Sequence, residues 1–157
     1  MNEMFNEKKV SQALFQFFEI DDEINIKKSI FQLAPYYSKP QFQECLAVEP
    51  LQLKLDVYNE KGDFYGHYNK GTGKLPKECN LNFSLDKSIK GTRYWQVVNS
   101  GKEAFNKKCL RGDWEKDDKN LHVESTKYKG RHFIRCAVVS NNLIVGLSNW
   151  MEICIGD

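Results

Sequence analysis

The sequence lacks the motifs by which most enzymes are recognised. It has no G-x-S-x-G and no H-E-x-x-H, and no pair of carboxylates comes with an orienting partner, so no catalytic residue is assigned and no turnover is expected. Its three histidines, His67, His122 and His132, have no partner at metal-ligand spacing. No metal and no cofactor is therefore expected. The five cysteines form an odd set without a C-x-x-C pair, which implies neither a disulfide framework nor a zinc site and leaves reduced thiols as the expectation. A run of about 18 apolar residues, the length of a membrane span, is missing. The opening MNEMFNEKK also has no apolar stretch of the signal-peptide kind, so the protein is expected in the cytoplasm with no membrane partner.

Net charge is nearly missing too, at +2 over 157 residues. Its distribution is uneven. Residues 1–50 hold five Lys/Arg against eight Asp/Glu, and residues 51–157 hold eighteen against thirteen, so the two parts carry −3 and +5. A modest positive excess suits a small anionic ligand better than a long nucleic acid, whose binding domains usually have a pI above about 9.

What is present begins with helical spacing. Over residues 8–33 the apolar positions Val10, Leu14, Phe17 and Phe18, then Ile26, Ile30 and Leu33, recur at three- and four-residue intervals and predict two helices, the second capped by Asp21 and Asp22. Pro35 and Pro40 end this part, and the domain boundary is placed near Pro50. The expected organisation is a helical extension, 1–50, ahead of a β-domain, 51–157. From Leu51 onward the period is two. Leu51, Leu53, Leu55 and Val57 alternate with polar neighbours, and so do Leu81, Phe83 and Leu85; Trp95 and Val97; Ile134, Cys136 and Val138; Leu143, Val145 and Leu147; and Met151, Ile153 and Ile155. Short strands separated by Gly, Asn and Asp turns predict a two-sheet antiparallel sandwich, with Trp95 as a plug between the sheets.

Chemistry-bearing residues concentrate between Tyr94 and His132. The stretch reads W-x-V-x-N-x-G-x-E-A from Trp95, then Leu110-Arg111-Gly112, then E-x-T-x-Y-x-G-x-H from Glu124. Arg111 is the strongest candidate: its guanidinium offers fixed donors for bidentate phosphate or carboxylate binding, and Gly112 allows close backbone approach. An internal bridge to Glu103 or Glu124 is the competing use. Strand parity puts Glu124, Thr126 and Tyr128 on one face, a polar wall for ribose or base edges. His132, inward by parity with Ile134, either bonds backbone across its corner or touches a ligand, and Asn99 either forms the turn before Gly101 or does the same. Trp114 could stack on a base or pair across its sheet. Lys70-Gly71-Thr72-Gly73-Lys74 lacks phosphate-loop spacing and reads as a flexible loop.

These motifs, in this order, resemble the AGS-C family, the adenylyl/guanylyl cyclase and SMODS C-terminal sensor domain. The resemblance runs from about Leu51 to the C-terminus and is strongest from Trp95 to Val138. It implies an immunoglobulin-like β-sandwich and a sensor of nucleotide-type ligands, of the kind found behind the nucleotidyltransferases of CBASS-type bacterial antiphage systems or behind nucleotide cyclases. The ligand implied is a nucleotide or cyclic oligonucleotide. The runner-up is an interaction module docking on a nucleotidyltransferase or effector, for which the N-terminal Phe5, Phe15, Phe17, Phe18 and Phe31 would supply apolar contact.

Overall fold

The computed structural model describes residues 42–69, 73–119 and 121–156. The helices expected over 8–33 and most of the 70–74 loop lie outside the described residues. Ten strands and one short helix follow in order: β1 Gln43–Leu51, β2 Leu53–Tyr58, β3 Phe64–Tyr68, β4 Asn80–Leu85, β5 Thr92–Val98, α1 Lys102–Asn106, β6 Arg111–Lys116, β7 His122–Ser125, β8 Gly130–Ser140, β9 Leu143–Ser148 and β10 Met151–Ile155. They form two sheets. The larger runs β1-β9-β8-β5-β6, with β10 also on β8, and the smaller runs β3-β2-β4-β7.

Alternation explains the packing. Leu55, Val57, Leu81 and Phe83 of the smaller sheet and Trp95, Val97, Ile134, Cys136, Ile153 and Ile155 of the larger one make a single buried cluster, because inward side chains of two facing sheets have only each other to exclude water. Trp95 is 1% exposed and sits 6.3 Å from the Phe83 ring across the inter-sheet space, the plug that its alternation with Val97 predicts. The five cysteines are all free.

Two features depart from an all-antiparallel sandwich with polar outer faces. First, β1 pairs in parallel with β9, so the larger sheet is mixed; β1 runs through Pro50, which stands opposite Leu147. Proline is tolerated there because β1 is an edge strand that can spare a ladder donor. Second, the larger sheet buries residues on its outer face as well, where Ala137, Val139 and Ile144 pack with Tyr94, Trp114 and Leu147. Two-sided burial turns β8 into a nearly continuous buried run, GRHFIRCAVVS, rather than a clean alternation.

The long β8 carries two partners end to end along one edge. Its C-terminal part pairs with β9 and its N-terminal part with β10. The β8–β9 hairpin turns at Asn141 and Asn142, with φ of 50° and 60°; this two-residue turn with both φ positive matches strand twist, and asparagine tolerates it. Between the sheets, the 73–79 segment stitches β10 to the end of β7. Leu75 N–H donates to Cys154 O, Gly156 N–H to Leu75 O, and Thr126 N–H to Cys79 O.

Candidate ligand cavity at the glycine corners

A cavity of about 240 Å³ opens between the sheets beside the turns at Gly101 and Gly130. Leu81, Phe83, Val97, Ile134, Ile153 and Ile155 give it apolar walls, and Asn99, Arg111, Glu124, Tyr128 and His132 give it polar groups. Five of the seven residues singled out in the sequence therefore line one space, although they are up to 33 positions apart. An apolar pocket with a few convergent polar groups is the usual form of a small-molecule site.

Two glycine corners hold the polar side together. Gly101 at φ 97° and Gly130 at φ 132° lie back to back: a Cβ on Gly130 would stand 2.7 Å from Ser100 O, and one on Gly101 would stand 2.7 Å from Lys129 O. Only glycine fits either place. The flanking side chains lock the contact. Lys129 N–H donates to Glu103 Oε2 at 2.9 Å, Lys77 Nζ bonds the same carboxylate, and Ser100 Oγ donates to Arg131 O. His132 Nε2 donates to Tyr128 O at 2.8 Å while its Nδ1 lies 3.1 Å from Asn99 Oδ1, and Asn99 Nδ2 donates to Cys109 O at 2.8 Å. The N-x-G-x-E and Y-x-G-x-H motifs are thus the two halves of one interlock. His132 makes the cross-corner backbone bond that its position suggests, and burial pushes its pKa down.

Arg111 sits where β6 bulges. The register with β5 slips between Gln96 and Val98, and Arg111 takes φ 56°. A regular partner of Val98 would project to the outer face, as Val98 does; the left-handed turn instead brings the guanidinium across to the smaller sheet. There Nη1 donates to Glu124 Oε2 at 2.7 Å, and Nη2 to Glu115 Oε1 at 2.9 Å. Of the two internal partners the sequence offers, the bridge goes to Glu124; Glu103 is taken by Lys77 and Lys129. A non-glycine residue at positive φ costs about 1–2 kcal/mol, a strain that concentrates at functional positions.

The carboxylate of Glu124 has a second partner that sequence reasoning missed. His122 Nε2 lies 2.9 Å from Glu124 Oε1 and its Nδ1 lies 3.0 Å from Asp117 Oδ2, so both ring nitrogens donate to carboxylates and the ring is an imidazolium. Burial alone would lower the His122 pKa, but the bonds to Glu124 and Asp117 outweigh it and the net shift is upward. For Glu124, burial works to raise the pKa, and the His122 and Arg111 bonds prevail to hold it below the usual carboxylate range. Trp95 stacks on the ring with centroids 4.7 Å apart and planes 10° apart. A signal was available: the parity that turns Glu124 inward turns His122 inward two residues earlier.

Thr126 and Trp114 lie elsewhere. Thr126 is fully buried just past the end of β7, where its hydroxyl accepts from Cys79 N–H and donates to Pro76 O, both at 2.8 Å. Trp114 stands opposite Gln96 and faces away from the cavity, with the Arg135 guanidinium 4.8 Å from its ring. Tyr128 lines the cavity beside Cys109, and the hydrogen bond between them raises the phenol pKa. Among the described residues, no three His, Cys, Asp or Glu side chains are arranged to hold a metal ion, and no helix is long and apolar enough to cross a membrane.

Fold and cavity together define a mainly β, two-sheet domain with an apolar-walled pocket that carries a few polar groups at its corners. The chain belongs to the Adenylyl/Guanylyl and SMODS C-terminal sensor domain family, whose model matches residues 11–156. It is a sensor domain by family. No curated protein matches it.

Proposed function

We propose that this domain is a non-catalytic, cytoplasmic sensor of a nucleotide or cyclic-oligonucleotide second messenger in a bacterial antiphage system of the CBASS kind, an immunoglobulin-like sandwich whose strands begin with β1 at Gln43, behind a helical extension. The observation that supports it is the convergence of Asn99, Arg111, Glu124, Tyr128 and His132 on one apolar-walled cavity, with Arg111 turned inward at a strained φ. Size constrains the pose. A cavity of about 240 Å³ falls below the roughly 300–1,000 Å³ of sites that enclose a drug-sized ligand, so it takes one base or sugar and leaves the phosphate at the mouth. There Arg111, with 29% of its side chain exposed, and Lys127 are within the lining. A guanidinium offers a phosphate two parallel bonds, and the base lies against Phe83 and Tyr128.

Removing one charge-assisted bidentate contact by Arg111→Ala should cost about 1.5–3 kcal/mol of affinity, roughly tenfold or more. Calorimetry against a panel of mono-, di- and cyclic oligonucleotides measures it. Binding by none of them, together with capture of a nucleotidyltransferase, would replace this reading with the interaction module. Exposed Leu121 and Val123 on the β7 edge, and Phe64 and Tyr65 on the β3 edge, favour that second reading.

A further inference from the structure

The groups around Arg111 do not form a vacant anion site. Arg111 and the His122 imidazolium are two cations set among three carboxylates, Asp117, Glu115 and Glu124, which leaves the cluster at −1. Lys127, also in the lining, can draw a phosphate to the mouth, but the guanidinium of Arg111 is taken until a carboxylate gives way. Glu115 is half exposed, bonds only Nη2 and does not line the cavity. Glu124 does line it, has 21% of its side chain exposed, and occupies Nη1 of the same guanidinium. Of the two acids on Arg111, Glu124 is the one with a second cation to hold it, so losing Arg111 would not strand it as an unpaired buried charge.

We propose that Glu124 is the resident competitor of this site: in the ligand-free domain its carboxylate takes the guanidinium face that a phosphate needs, and binding is an exchange in which Glu124 leaves Arg111 and stays on His122. The inference rests on the nucleotide reading above and says how that same site is regulated. The exchange sets a threshold. A neutral nucleoside offers Arg111 nothing better than the carboxylate it already has, whereas a phosphate offers a charged, bidentate replacement. The remaining walls cannot take over the role of competitor, since β4 presents Leu81 and Phe83 and β5 presents Trp95 and Val97.

The test titrates the full ¹⁵N-labelled chain with 3′,5′-cyclic AMP and with inorganic phosphate at constant pH and ionic strength, following the Arg111 Nε–Hε resonance, identified by its loss in Arg111→Lys. Glu124→Gln should bind about tenfold tighter than wild type, the scale of one charge-assisted contact no longer opposed, with Arg111 displaced in both. Glu115→Gln should change affinity by less than about threefold, as an exposed pair does. Should Glu124→Gln fail to fold, Glu124→Asp, which keeps the charge but shortens the reach to Arg111, must give the same tightening. Wild-type binding at Arg111 with equal or weaker binding by the Glu124 variants overturns the competitor and leaves the nucleotide reading standing. No displacement of Arg111 in any variant, by these probes or by the full nucleotide panel, removes the nucleotide reading and the competitor with it.

Discussion

Substituting Gly130 by alanine tests whether the interlocked corners carry the stability of the cavity wall. The new Cβ would stand 2.7 Å from Ser100 O and 3.3 Å from Gly101 Cα, and both are main-chain atoms. Neither can swing aside as a side chain could, because the Lys129 N–H to Glu103 bond and the Ser100 Oγ to Arg131 O bond fix the two corners against each other. Positive φ adds about 1–2 kcal/mol for a residue with a Cβ, and overpacking adds about 1–3 kcal/mol, so a loss of about 2–5 kcal/mol is expected. That is a large part of the roughly 5–15 kcal/mol by which domains are stable. Gly62→Ala is the matched control: φ is 88°, yet nothing lies within 4 Å of the added Cβ, so only the conformational part of the cost remains. Urea unfolding of both variants, with m-values compared to confirm the same transition, gives the difference directly. Equal losses in the two variants would refute the interlock.

Thr126→Val should destabilise by about 1–3 kcal/mol, because it leaves the Cys79 amide without its acceptor in a buried place, while nucleotide affinity in the same variant stays within twofold of wild type. Stability should also depend on His122 through pH. Its folded pKa is raised, so its contribution is complete below the ordinary histidine value near 6.5 and fades as pH rises through the folded value. Lowered Glu124 and Asp117 act in the opposite sense, contributing above the ordinary carboxylate range and failing as pH falls through their folded values. Urea midpoints for wild type minus His122→Gln should therefore shrink between pH 6 and pH 8, and a difference that is flat or growing would contradict the imidazolium assignment.

How much of this was legible in the chain differs by feature. Side-chain period two follows from strand geometry alone, so Leu55, Phe83, Trp95, Ile134 and Cys136 could be assigned inward from sequence, and the structure buries all five. The glycine corners were legible for the same local reason, since Gly101 and Gly130 stand in polar turns between alternating segments. Parity reached its limit at Thr126. It continues the Glu124 pattern on paper, but β7 ends at Ser125, and the 73–79 segment, far away in sequence, supplies the groups that claim its hydroxyl. Trp114 was likewise undetermined, because the face it takes depends on the β5–β6 register, which sets it opposite Gln96 and which no local pattern announces. The same holds for β1, whose parallel pairing with β9 joins residues about a hundred positions apart. Sequence alone named Arg111 and two acids that could meet it. Only the stacking of the sheets decided that Glu124 does so, with His122 on its other side, because charge partners across a core are chosen by distance in space rather than by spacing along the chain.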